Sequence, residues 1–268
     1  MIFKTKNKSF NLADKTLVMG ILNVTPDSFS DGGKYNSINS AVERALQIQS
    51  EGADILDIGG QSTRPGFVKI SPKEEFNRLK EVLSNLNGKI EIPISVDTFY
   101  PEVAEECIAL GAEIINDVSG TTGEEMIEIA KNHKCGLVIT HNENNVNIKN
   151  FFKNKLDECL NFGLENDYVC FDPGIGFSKN QDQDAYIIRN LKNLRLKNNA
   201  ILVGLSRKRV IGVNCGNPPP EERIFGTIAA DTLCISQGAN IIRVHDVAAA
   251  VQAAKVTDGI LKGICADE

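Results

Sequence analysis

Eight times along the chain, a short and almost wholly apolar run gives way to a polar loop and then to a segment with helical spacing. The runs are 17–22, 53–58, 92–96, 112–115, 136–139, 168–171, 200–203 and 240–244. The helical segments are 38–51, 73–86, 101–110, 124–132, 149–162, 181–194, 221–237 and 248–263. Continuous apolar runs suit parallel strands covered on both faces, and strict strand–helix alternation supplies the crossovers such strands need. Eight units in strict order predict an α/β fold, a closed (β/α)8 TIM barrel. An open doubly wound sheet would want a glycine-rich phosphate turn after its first strand, and NVTPDSFS is not one. Ile2 to Asp14 reads as a short N-terminal β-hairpin that turns at Lys6, Asn7 and Lys8 and closes one end of the fold. No low-complexity linker interrupts the pattern, so residues 1–268 are expected to form a single domain.

Composition narrows the partners. A formal net charge of −6 argues against non-specific binding to nucleic acid or to an anionic membrane, so a phosphate-bearing ligand has to be held by local cations. No apolar run approaches the roughly 18 residues a membrane span needs, and MIFKTKNKSFNLADK lacks the apolar core of a signal peptide. The 7 cysteines contain no CxxC pair and sit mostly inside apolar runs, which reads as reduced, buried thiols in a cytoplasmic protein rather than a metal cluster.

In such a barrel the site lies where the strands end. The residues there are Asn23, Thr63 and Arg64, Asp97, Asn116, His141, Asp172, Ser206 with Lys208, and Arg243 with His245. Any one of these could be a helix cap. A polar group at every strand end is harder to explain that way. Asp97, Asn116 and Asp172 offer acceptors and an amide suited to a flat, nitrogen-rich heterocycle, and two carboxylates so placed oppose developing positive charge. Arg64, Lys208, Arg243 and His245 supply cations, partly from the last two loops, a common phosphate site in barrels. Arg243 and His245 are separated by one residue and so share a face. Asn23 is a candidate Mg2+ ligand, since that ion takes few protein oxygens beside substrate phosphate. His133, near a helix end, is expected on the surface, and His141 is open between a structural role and a pocket wall.

On the segments GILNVTPDSFSDGG, DIGGQSTRPG, PISVDT, IINDVSG, DPGIGF, GLSRKR and IIRVHDV, the chain closely resembles the dihydropteroate synthase family from end to end. The resemblance implies condensation of 6-hydroxymethyl-7,8-dihydropterin diphosphate with p-aminobenzoate, with Mg2+ as cofactor and a homodimer built through the late helices. It places Asp97, Asn116, Asp172 and Lys208 at pterin-binding positions, with Asp97, Asp172 and Lys208 as the catalytic set. It places Asn23 on Mg2+, and Thr63, Arg243 and His245 on the diphosphate. Ser206 and the neighbouring loop from Gly204 match the site for the p-aminobenzoate carboxylate. Phe29, Arg64, Pro65 and Phe177 fall in or beside the loops that enclose the arylamine.

Four positions depart from that pattern. Gln61 stands where the family usually has Glu, Thr140 and Asn142 flank His141 in place of methionines, and Ser178 replaces a usual glycine. Gln61 and the changes round His141 leave room for a non-catalytic pterin-binding paralogue. A pterin-dependent methyltransferase would share the Asp, Asn, Asp floor but would not need Asn23, Thr63, Arg243, His245 or the STRPG loop.

Overall fold

The computed structural model describes residues 1–25, 33–61 and 68–263, with the backbone alone for 33–37. Strands β1 (Ile2–Lys4) and β2 (Ser9–Asn11) pair antiparallel, with Phe3 opposite Phe10. The barrel strands are β3 (Leu17–Asn23), β4 (Ile55–Gly59), β5 (Ile94–Asp97), β6 (Ile114–Asp117), β7 (Gly136–Thr140), β8 (Val169–Asp172), β9 (Ala200–Val203) and β10 (Ile241–Val244). They follow one another in chain order round the cylinder, and β10 closes it against β3. The helices are α1 (Gly33–Ser50), α2 (Pro72–Leu86), α3 (Pro101–Ala109), α4 (Glu124–His133), α5 (Ile148–Asn161), α6 (Gln181–Leu194), α7 (Arg209–Asn214), α8 (Ile224–Ser236) and α9 (Val247–Lys262).

Because side chains alternate along a strand, every barrel strand except β5, whose inward residue Ser95 is polar, feeds two cores. One set, including Val18, Leu56, Val96, Ile115, Leu137, Phe171, Val203 and Ile242, packs outward against the helices. The other, including Leu17, Met19, Ile55, Ile114, Val138, Cys170, Leu202 and Ile241, fills the barrel. The hairpin plugs its lower end with Phe3 and Leu12. A Cβ on Gly136 would stand 2.8 Å from the Phe3 ring, so the glycine at the foot of β7 makes room for that plug. Each fully buried aliphatic side chain is worth roughly 1.5–3 kcal/mol.

Two helices are capped where they support the upper rim. Ser71 accepts the Glu74 amide at the start of α2, with Pro72 following it. Asn180 and Gln183 form a reciprocal capping box at the start of α6. Each cap is worth about 1 kcal/mol.

The chain departs from the sequence expectation in its last third. A single helix over 221–237 is expected, but a 3-10 turn at Pro220–Glu222 precedes α8, and the short α7 stands before it. The turn is closed by i to i+3 bonds from Glu222 to Pro219 and from Arg223 to Pro220, and the Arg223 guanidinium ties it to the carbonyls of Pro218, Arg207 and Lys208. Three strands expected from Ala53, Ile92 and Ala112 begin two residues later, at Ile55, Ile94 and Ile114.

Candidate active site

Climbing the inside of the barrel two residues at a time, apolar side chains give way to polar ones on most strands. Ile21 is followed by Asn23, Ile55 by Asp57, Ile114 by Asn116, Val138 by Thr140, Cys170 by Asp172 and Ile241 by Arg243. Neighbouring strands are in register at this level, with Asn23 beside Gly59, Gly59 beside Asp97, and Asp97 beside Asn116. The polar layer is therefore a ring at the C-terminal mouth.

Its centre is a carboxylate absent from the sequence-derived site. Asp57 is fully buried and accepts from Ser95 Oγ at 2.6 Å, from Arg243 Nε at 2.6 Å, and more weakly from Asn116 Nδ2 at 3.3 Å. Arg243 Nη2 also reaches Asp97 Oδ2 at 2.7 Å. Two buried acids thus share one guanidinium. Burial pushes the Asp97 carboxyl up to about 7; Arg243 opposes that rise and the neighbouring Asp57 charge adds to it. Burial disfavours the charge on Arg243 as well, but Asp57 and Asp97 more than offset it, and its pKa is raised. The bonds to Arg243 and Asp57 leave one oxygen on each of two neighbours, Asp97 Oδ1 and Asn116 Oδ1, buried and without a partner among the described residues.

The second cluster lies across the mouth. Asp172 holds the Gly174 amide at 2.7 Å and has its pKa raised by burial, against the pull of Lys208. Lys208 Nζ donates to Ile175 O at 2.5 Å and sits 4.3 Å above the Phe177 ring, a cation–π contact. Burial draws Lys208 down to about 8, with Asp172 working to keep it charged. Gly204 lies between the clusters, since a Cβ there would be 3.7 Å from Arg243 Cβ and 3.8 Å from Asp172 Oδ2.

Ser206 Oγ accepts the His245 amide at 3.2 Å and meets His245 Nδ1 at 3.0 Å, which joins the last two loops. Asn23 ends β3 with Oδ1 beside Gly59, 3.6 Å from where a Cβ would be; Asp97 Cβ is equally close to that point. Thr63 and Arg64, together with Phe29 and Pro65, lie outside the described residues. Among the described residues no group of three or more His, Cys, Asp or Glu could hold a metal ion. A single amide oxygen at Asn23 fits Mg2+ only if substrate oxygens complete the shell, which is the usual manner for this ion.

His141 is buried edge-on to Phe151, and burial lowers its pKa to about 4, so it is a neutral core group rather than a cation. His133 ends α4 and pairs with Glu105 at 2.8 Å on the surface. Gln61 is buried and donates through Nε2 to the buried Glu75 at 2.8 Å. Asn142 ties two loops together, donating to Val118 O at 3.1 Å and accepting from Ser178 Oγ at 2.8 Å.

Asp97, Asn116, Asp172 and Arg243 stand at strand ends, Ser206, Lys208 and His245 stand in the loops that follow β9 and β10, and Arg243 is turned inward onto two acids. Sequence reasoning passed over Asp57 and Glu75. The available signal for Asp57 was a charge in the middle of the apolar run ILDIG.

A model of the pterin binding enzyme family matches residues 19–245. The dihydropteroate synthase of Clostridium beijerinckii is 40% identical, with 97% of this chain and 99% of that protein covered. Among solved structures, a dihydropteroate synthase from Clostridium difficile in the presence of pteroic acid is similar with a TM-score of 0.90 at 39% identity, covering 94% of this chain and 99% of that one. One from Xanthomonas albilineans with 4-aminobenzoic acid gives a TM-score of 0.91 at 36% identity over 97% of both chains.

Proposed function

The chain belongs to the dihydropteroate synthase family of pterin-binding enzymes, and we propose that its barrel mouth joins 6-hydroxymethyl-7,8-dihydropterin diphosphate to p-aminobenzoate, giving 7,8-dihydropteroate and diphosphate. The observation that carries this reading is the pair of buried oxygens on the neighbouring residues Asp97 and Asn116 that have no partner among the described residues. Leaving such atoms unmade costs about 1–3 kcal/mol each, a cost removed when the N–H groups of a flat heterocycle meet them. Asp172 and Lys208 extend the same floor.

An arylamine is a weak nucleophile, so the reaction gains when the C–O bond to diphosphate loosens first and the positive charge spreads into the ring. Diphosphate leaves with the electron pair, the amine nitrogen forms the new C–N bond, and its proton goes to solvent. Asp97 and Asp172 oppose the developing charge from inside a buried site, where a carboxylate acts more strongly than in water. Arg243 holds Asp97 in place, while His245 and Ser206 stand on the rim where the anion departs. Mg2+, when bound, supplies Lewis-acid neutralisation of the leaving diphosphate, and Asn23 is the residue that would hold it.

We place the enzyme in the cytoplasm as a homodimer. No helix among the described residues is long and apolar enough to cross a membrane, and the described cysteines are free thiols. Neighbouring helices α8 and α9 expose Phe225 (85%), Leu233 (58%), Val256 (58%) and Ile260 (79%), an apolar surface suited to a second copy of the chain.

The test is diphosphate release and dihydropteroate formation by the purified protein with both substrates and Mg2+. Pterin binding without release would identify a non-catalytic paralogue. Asp97→Asn should lower kcat by about 100-fold while weakening pterin binding far less, and an unchanged kcat removes the charge-stabilising role.

A further inference from the structure

We propose that Lys179, whose ammonium is taken up by backbone carbonyls, is a positioning residue that sets the pterin floor by holding Lys208 and Phe177 in place. The inference rests on the reading of the site given above. Lys179 is 6% exposed, and its ammonium donates to three carbonyls: His141 O at 2.7 Å, Gly174 O at 3.1 Å and Phe177 O at 3.2 Å. An ammonium has three N–H groups, and here each meets a carbonyl. Burial draws its pKa down to about 8, opposed by the charges of Asp172, Asp184 and Glu143, so it stays protonated at neutral pH.

The three carbonyls belong to the end of β7 and to the DPGIGF loop after β8. That loop wraps the ammonium closely. Gly174 has a φ of +69°, and a Cβ there would stand 2.0 Å from His141 O, so only glycine fits. Inside this wrap lies Ile175, whose carbonyl takes Lys208 Nζ, and at its edge lies Phe177, whose ring faces the same nitrogen. Asp184 fastens the loop from the other side by accepting the Gly176 amide at 2.8 Å. The Lys179 carbonyl takes Arg209 Nη2 at 2.6 Å, which anchors the start of α7, one residue after Lys208. A buried cation whose three donors are all taken by backbone carbonyls thus fixes both contacts of a proposed pterin-binding lysine.

Lys179→Met keeps the length of the side chain and removes the donors. The variant should bind pterin about tenfold more weakly and raise KM for the pterin substrate by a similar factor, with KM for p-aminobenzoate changed less. In a Lys208→Met background the same substitution should cost little further pterin affinity, because its effect runs through Lys208. Equal losses in both backgrounds, or a kcat that falls with the folded fraction while both KM values hold, would overturn the proposal. Should Lys179→Met fail to fold, Lys179→Arg keeps a buried cation and is scored by the same cycle. The parent enzyme, run alongside, separates failure of this inference from failure of the proposed reaction: an active parent with an indifferent Lys179 sinks only the former.

Discussion

Arg243 donates its Nε to Asp57 Oδ2 at 2.6 Å across 186 residues of chain, inside the barrel and beneath the mouth. The pair makes Asp57 the base on which the pterin floor stands. Asn116 leans on the same carboxylate, and Arg243 passes from it to Asp97.

Asp57→Asn tests that arrangement. Arg243 would then serve Asp97 alone, and the Asp57 charge that helps to raise the Asp97 carboxyl would be gone. The Asp97 pKa should therefore fall from about 7. If ionised Asp97 is the active form, the acid limb of kcat/KM moves to lower pH, because that limb reports the free enzyme. A raised acid stabilises the fold below its unfolded pKa and loses that contribution as pH rises through the folded one. The Asp97 part of this loss should shrink in the variant. Stability itself should drop by about 2 kcal/mol in urea unfolding, less than the roughly 3–5 for a buried charge stripped of its only partner.

The barrel and its mouth were legible in the chain because parallel strands leave unbroken apolar runs and the first polar residue after each run marks the rim. Asp97, Asn116, Asp172, Ser206 and His245 could be placed from that alone. Asp57 could not. In a strand buried on both faces, periodicity does not say which side chains point inward, and an acid two residues short of the strand end looks like any other. The inward turn of Arg243 depends on that same hidden acid. Lys179 and Glu75 were invisible for a different reason, since both sit in polar stretches whose burial is decided by packing against distant loops. The 3-10 turn before Ile224 belongs to this class, because Arg223 ties it to carbonyls in the preceding loop.

Asp231 offers a prediction about stability alone. It sits on the inner face of α8 at 0% exposure, with neither oxygen hydrogen-bonded among the described residues, and burial raises its pKa well above the usual carboxylate range. Its penalty is absent below the unfolded pKa and grows as pH rises toward the folded one. Asp231→Ala should therefore stabilise the protein by about 1 kcal/mol at neutral pH, net of a small cavity. Thermal unfolding at pH 5 and pH 8 checks the sign: the advantage of the variant should be larger at pH 8. A smaller advantage there refutes the assignment.

The apolar face of α8 and α9 makes a separate prediction. Phe225 is 85% exposed, more than an isolated chain gains from keeping. Phe225→Glu puts a charge into any interface formed there, and sedimentation should show the parent as a dimer and the variant shifted toward monomer. Burying that charge costs several kcal/mol unless it finds a partner. A parent that sediments as a monomer removes the proposed homodimer.

Gln61 is the clearest departure from the family pattern, and its partner explains how the chain tolerates it. Glu75 is buried on α2, and its carboxyl is raised to about 7 by burial and by the Asp97 charge, while the bond from Gln61 Nε2 works in the opposite direction. Gln61→Glu would replace that donor with a second acid. Two facing carboxyls can hold only one negative charge cheaply, so the pair would keep a proton to higher pH than Glu75 does alone. Because the folded pKa of Glu75 is raised further, the added stability cost appears as pH rises through about 7, where Glu75 ionises in the parent while the pair still holds its proton. The melting temperature of Gln61→Glu should match the parent's near pH 5 and fall progressively below it by pH 8. Parallel melting curves across that range would mean that the amide at position 61 does not help Glu75 to ionise, and that its bond to the helix is packing alone.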